Sequence, residues 1–207
     1  MAGMKSRDWD ERYAAVDLVW SAGPNRWVEE LASDLPPGRA LDVAAGEGRN
    51  AIWLASRGWT VVAADFSPVA VERAQRLGAD QLGEAADRFT SVVSDALEPA
   101  PEGGPYDLVL FSYLQLPAGE RRRAWARGIE AAAPGGRVVV IGHASRNLSE
   151  GWGGPQDPAV LYDPEAVVAE VSDQPVDVES AELKVRPVGT DDGTHEALDT
   201  VVVLRRR

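Results

Sequence analysis

The stretch Leu41-Asp42-Val43-Ala44-Ala45-Gly46-Glu47-Gly48-Arg49-Asn50 decides the fold of this chain. It reads as a short apolar strand over 40–44 that ends in small residues and runs at once into two glycines. A helical pattern then covers 50–57, and Gly58 stands where a helix stops. Two glycines let a backbone approach a ligand closely, and the helix behind them presents unpaired N–H groups toward it. The spacing Gly46-x-Gly48-x-x-Ala51 also satisfies the dinucleotide fingerprint, so the loop alone does not name its ligand.

Outward from this loop, strands and helices alternate. Residues 60–64 read as a second strand, ending at Asp65. Ser67-Pro68 starts a helix with a side-chain cap and a first-turn proline, and Val71, Ala74 and Leu77 recur at helical spacing. Strands follow at 89–93 and 106–111, then a helix over 118–133 stopped by Pro134-Gly135-Gly136, then a strand at 138–141. Beyond Gly142 lies a loop of about 20 residues rich in Gly, Pro and Trp, followed by a short helix at 164–171. Two strand-like stretches, 176–185 and 197–204, flank the turn-rich segment 189–194 and predict an antiparallel hairpin at one sheet edge. The expectation is an α/β, Rossmann-like doubly wound sheet of seven strands, five parallel plus a C-terminal antiparallel hairpin, with helices on both faces. Arg205-Arg206-Arg207 reads as a solvated tail, and Arg121-Arg122-Arg123 as a solvated helix face.

At 207 residues and 44% hydrophobic content, the chain is expected to be one domain, 1–207, with an N-terminal helical lid at 1–38 and a Rossmann-like core at 39–207. Trp9, Tyr13, Val16 and Trp20 share one helix face in that lid. The absence of cysteine removes disulfides, cysteine nucleophiles and thiolate metal sites together. A formal charge of -12 repels phosphate backbones and anionic lipid, so neither nucleic acid nor a membrane is the expected partner. The N-terminus lacks a signal-peptide apolar stretch, which points to a cytoplasmic protein. A homodimer is compatible with these features. Mg²⁺ is possible through the many carboxylates, but no spacing singles out a site.

Three acids stand at three successive strand ends. Asp42 is placed to hold a cationic amino group, Asp65 to accept ribose hydroxyls, and Asp95 to accept from an adenine amino group. Such a set favours a ligand with an amine, a ribose and a base over one with a pyrophosphate. As strand-tip acids they are expected outside the core. With these residues, the chain resembles class I S-adenosylmethionine (SAM)-dependent methyltransferases from Trp9 to Leu204. Residues 41–51, followed by 59–67, are similar to the small-molecule branch that includes tellurite-resistance and thiopurine methyltransferases, and Trp9-Asp10-Glu11-Arg12-Tyr13 resembles the N-terminal segment of that branch. The resemblance implies a cofactor site of Trp9, Tyr13, Asp42, Ala44, Gly46, Asn50, Asp65, Phe66, Ser94, Asp95, Ala96 and Ser112. The chain departs from the family at Ala44, where the first glycine of the loop is usual, and at Ala45, where the branch often carries cysteine.

For the acceptor, His143 ends the fifth strand, where ligands bind in an open α/β sheet, and it is the candidate general base. Tyr113, Arg146, Trp152 and Tyr162 are the candidate substrate-binding residues, because polar groups around an indole suit a hydroxyl-rich ligand. The GC-rich composition and the loop after His143 are also similar to mycobacterial sugar O-methyltransferases. The expected reaction is O-methylation of a small hydroxylated acceptor, with sugars first. S-, Se- or Te-methylation, a SAM-binding regulator without turnover, and a nicotinamide dehydrogenase stay open as alternatives. His195 is expected to have no function.

Overall fold

The computed structural model describes residues 23–207. Trp9, Tyr13, Val16 and Trp20 lie outside the described residues. The elements are α1 (Arg26–Ala32), β1 (Arg39–Val43), α2 (Arg49–Ser56), β2 (Thr60–Asp65), α3 (Pro68–Leu82), β3 (Phe89–Val93), β4 (Tyr106–Ser112), α4 (Ala118–Ala131), β5 (Ala132–His143), α5 (Asn147–Glu150), α6 (Pro164–Glu170), β6 (Val176–Thr190) and β7 (Gly193–Arg206). They form a seven-stranded sheet in the order β3-β2-β1-β4-β5-β7-β6. β1 to β5 run parallel, β7 runs antiparallel to β5, and β6 closes the edge as the hairpin partner of β7.

Strand alternation divides the core in two. Ala40, Leu108, Leu110, Val139 and Ile141 face α1 and α2, together with Trp27, Leu54 and Trp59. Their sequence neighbours Leu41, Val109, Phe111, Val138 and Val140 face Trp125 and Ile129 of α4 and Val167 of α6. Near-continuous apolar strands are what a sheet covered on both faces requires. The described part of the expected lid joins this core, since Trp27, Val28 and Ala32 of α1 are buried in it. No described helix is long and apolar enough to cross a membrane.

Three boundaries differ from expectation. α4 ends at Ala131, and β5 starts at Ala132 rather than 138, because Tyr106 pairs with Ala132 before a register shift carries Leu108 to Arg137. Pro134-Gly135-Gly136 is thus an irregularity in the strand and not the spacer before it. The hairpin pairs through Thr190 and Gly193, leaving Asp191-Asp192 as its turn. The C-terminal arginines are not a free tail. Arg205 and Arg206 belong to β7, Arg205 meets Glu179 at 2.6 Å, and Arg206 donates to the Glu130 and Ala132 carbonyls.

The three arginines of α4 separate likewise. Arg122 and Arg123 are exposed, whereas Arg121 is 6% exposed and forks onto Glu170 with Nε at 3.0 Å and Nη2 at 2.6 Å. Trp125 Nε1 donates to the same carboxylate at 3.2 Å. Removing one partner of a buried ion pair leaves the other charge unsolvated, at a cost of about 3–5 kcal/mol. Glu170→Ala should therefore lower the unfolding free energy in urea by about that amount, while Arg122→Ala and Arg123→Ala change it by less than about 0.5 kcal/mol.

Candidate active site

The loop between β1 and α2 is held by its neighbour strand. Ala45 N–H donates to the Ala64 carbonyl at 3.0 Å, and Gly46 N–H donates to Asp65 Oδ2 at 2.8 Å. Asp65 Oδ1 accepts from Ser67 N–H at 2.9 Å, so one carboxylate joins the loop to the start of α3. Gly46 and Gly48 have φ of 57° and 81°, and Ala44 adopts the same left-handed region at 56°. An L-residue there carries strain of about 1–2 kcal/mol. α2 starts on Gly48 with no side-chain cap among the described residues.

The strand-tip acids do not share one environment. Asp42 and Asp65 are buried, contrary to the expectation that they sit outside the core, because the loops fold over the ends of β1 and β2. Neither oxygen of Asp42 completes a hydrogen bond within the described residues. Burial above all, then the charge of Asp65, pushes its pKa up to about 7, against the opposing pull of Arg49 and of the Ala51 amide. Asp95 is exposed and closes its own turn by accepting from Leu97 N–H at 2.9 Å. Ser94 N–H donates to the Asp65 carbonyl at 2.9 Å, and Phe66, Ser94 and Ala96 are half-buried around these tips. Asn50 Oδ1 accepts from Asn25 N–H at 2.8 Å, tying α2 to the start of α1.

A second cluster lies at the tips of β4 and β5. Tyr113 follows β4 with φ of 62° and donates its hydroxyl to Asp199 Oδ2 at 2.8 Å. The same oxygen accepts from Trp27 Nε1 at 2.9 Å and from Arg186 Nε at 2.7 Å. His143 is half-buried, its ring centroid 4.7 Å from that of Tyr113 and its Nδ1 3.6 Å from Asp199 Oδ1. Burial is the main cause that holds the His143 pKa below the usual histidine range; Asp199 acts against it and Arg186 with it. Burial, then the charge of Asp199, raises the Tyr113 pKa, so the phenol stays protonated. Burial, and then the charge of Arg186, lowers the Arg49 pKa, while Asp42 acts against them, so Arg49 is coupled electrostatically to both clusters. Ser112 Oγ is buried there without a hydrogen-bond partner among the described residues.

Asp199, Arg186, Trp27 and Arg49 were missed at the level of sequence. An acid inside the apolar run Ala197-Leu198-Asp199-Thr200-Val201 was the readable signal. Two candidate acceptor residues are corrected. Tyr162 is 1% exposed, its hydroxyl donating to the Leu114 and Ile141 carbonyls, so it is a core residue packed on Trp125. Arg146 lies on the surface paired with Glu150 at 2.6 Å, outside the His143 cluster. Trp152 is 44% exposed, and one indole face is taken by His195, stacked at 3.8 Å and 10°. His195 thus braces the long loop against the hairpin tip. No group of three or more His, Asp or Glu among the described residues is arranged to hold a metal ion. A cavity of about 440 Å³ lies at the opposite, amino-terminal end of the strands, lined by Pro37, Arg57, Trp59 and Arg88 among others, and includes none of these residues.

Residues 40–136 match the family model described as a methyltransferase domain. Those residues, just under half of the chain, are thus similar to methyltransferase domains. Among similar proteins is a chloroplastic tocopherol O-methyltransferase of Arabidopsis thaliana, 34% identical over 118 residues, which are 55% of this chain and 32% of that protein. A probable thiol methyltransferase 2 of the same plant is 28% identical over 90% of this chain and 82% of its own length. The chain thus spans about a third of the first relative and most of the second. A glycopeptide N-methyltransferase solved in complex with SAM shares the fold, with a TM-score of 0.69 at 21% identity over 90% of this chain and 88% of that one.

Two outcomes follow for the first loop. Because the folded state raises the Asp42 pKa, the protonated form stabilises the fold below pH 4, and that contribution is lost as pH rises through about 7. Asp42→Asn should therefore be more stable than the wild type at pH 8, by at most about 4 kcal/mol. The gap should close near pH 4 in urea titrations. Ala44→Gly relieves the left-handed strain against a smaller entropic loss in the unfolded chain, so its melting temperature should match or exceed the wild type's.

Proposed function

We propose that the protein transfers a methyl group from SAM to a hydroxyl of a small acceptor, with His143 as general base. The observation that carries this reading is a half-buried histidine, held neutral near pH 7, at the carboxyl end of β5 on the same side of the sheet as the Asp42–Asp65 loop. The residues of that loop fit the cofactor. Asp42 is a buried carboxylate in want of a cation, which the ammonium group of SAM offers, and Ala44 and Gly46 turn the loop beside it through left-handed backbone. Asp65 is assigned to the ribose, with Phe66, Asp95 and Ala96 beside the base and Ser112 toward the methyl. Asn50 and Ser94 act through the loops they tie down. Bound there, SAM supplies an electrophilic sulfonium methyl.

The chain's own task is then orientation and proton removal. A neutral hydroxyl is a poor nucleophile, and the acceptor oxygen must give up its proton to His143 as it gains the methyl. Tyr113 bounds the acceptor beside that ring, and the free face of Trp152 is the place for an apolar sugar face. The tocopherol relative, an O-methyltransferase by name, supports an oxygen acceptor. The similarity over nearly the full chain to a probable thiol methyltransferase supports a second reading, a thiol acceptor. A thiol of pKa about 8.5 is already partly ionised at neutral pH and needs no base.

The two readings part at one residue. His143→Ala should lower kcat with a hydroxyl acceptor by at least about a hundredfold while SAM affinity stays within a few-fold. The wild-type rate should rise with pH through the histidine's titration and level off by neutrality. A screen of sugars, polyols and thiols identifies the acceptor, and a variant that keeps its activity toward a thiol would establish the second reading.

A further inference from the structure

We propose that Asp199 is a positioning residue for His143: it fixes the imidazole with its proton on Nδ1 and leaves Nε2 as the atom that faces the acceptor. The inference rests on the reading of His143 as the base and adds how that base is prepared. His143 of β5 and Asp199 of β7 are register partners in an antiparallel ladder, so their side chains leave the same face of the sheet next to each other.

The two oxygens of Asp199 are used unequally. Oδ2 takes donors from Trp27, Tyr113 and Arg186 at 2.9, 2.8 and 2.7 Å. Among the described residues Oδ1 has only a long contact from Arg186 Nη2, at 3.5 Å, and it is the oxygen that faces His143 Nδ1 at 3.6 Å. Nδ1 is buried and has no hydrogen-bond partner among the described residues. An acceptor with spare capacity thus faces a ring nitrogen in want of one. A proton on Nδ1 would point its positive end at Oδ1, whereas a proton on Nε2 would set two lone pairs against each other in a buried place.

The rest of the surroundings keeps the ring in that orientation. His143 N–H donates to Gln115 Oε1 at 3.0 Å, and Gln115 Nε2 donates to the Val160 carbonyl at 2.7 Å. The Tyr113 ring lies on one side, and Gly154 comes so close that a Cβ there would lie 3.0 Å from the imidazole. Among the described residues, the charged and titratable groups facing the ring are Asp199 from β7, Arg186 from β6 and Tyr113 beyond β4. Asp199 raises the ring's pKa and Arg186 lowers it. A carboxylate that sets a histidine's tautomer and supports the imidazolium formed on proton transfer is a general device for general bases.

Nitrogen-15 NMR of histidine in the tag-free full chain tests this directly. The sequence holds two histidines, and His195→Gln assigns their signals. At pH 8 the His143 ring should be in the Nδ1–H form. Asp199→Asn should move it toward the Nε2–H form, shift the acidic limb of the kcat profile to lower pH, and reduce kcat at least about tenfold. Tyr113→Phe, which removes a donor from Oδ2 and leaves Oδ1 untouched, should keep the wild-type tautomer. A wild-type ring in the Nε2–H form overturns the proposal, and this spectrum needs no variant to fold. An unchanged tautomer in folded Asp199→Asn overturns it too. Full turnover in His143→Ala would overturn the reading of His143 as base, while the Nδ1–H form in the wild type would still support its control by Asp199.

Discussion

A single buried carboxylate, Asp199, ties together the half of the molecule where the acceptor chemistry is proposed. Burying an unpaired charge is prohibitive, so its donors must arrive with it. They come from α1 through Trp27, from the tip of β4 through Tyr113, and from β6 through Arg186. Each of these elements reaches its place by its own packing, and in this arrangement all three donors meet the acid. Tyr113 donates to that acid from a left-handed backbone conformation, which carries strain.

The other half of the site is organised by the opposite principle. Around Asp42 an acid has no completed hydrogen bond among the described residues, beside an alanine in a conformation that glycine adopts more readily. Both features oppose folding. The surrounding sheet makes them tolerable, since Leu41 and Val43 on either side of Asp42 are buried and Asp65 ties the loop to the next strand. Among the described residues, this strain and unsatisfied polarity lie at strand tips, which fits the loop's proposed role of holding a ligand.

The C-terminal hairpin therefore serves the site as well as the sheet. β7 inserts between β5 and β6, and this order sets Asp199 opposite His143 and brings Arg186 within reach from the edge strand. The hairpin tip has its own part, because His195 stacks on Trp152 and holds the long loop after β5.

Much of this was legible in the residues taken in order. Alternating apolar runs and helical periods specify five parallel strands and a terminal hairpin, because both periods follow from local geometry. The glycines of the first loop, the acids at the ends of β1 and β2, and His143 at the end of β5 are local signals of the same kind. What the order of residues could not carry was which side chains meet. Tyr162 and Trp152 read alike as aromatic residues in a polar loop, yet one is core and the other surface, as packing of α4 and α6 decides. Arg121 and Arg122 are adjacent and identical, and only the position of Glu170 makes one of them structural. Asp199 lies 56 residues after His143, and nothing local marks them as partners. Their meeting depends on strand order and register, which are set by the burial of the whole sheet, and so the fold was readable from the sequence while the environment of the proposed base was decided by the tertiary structure.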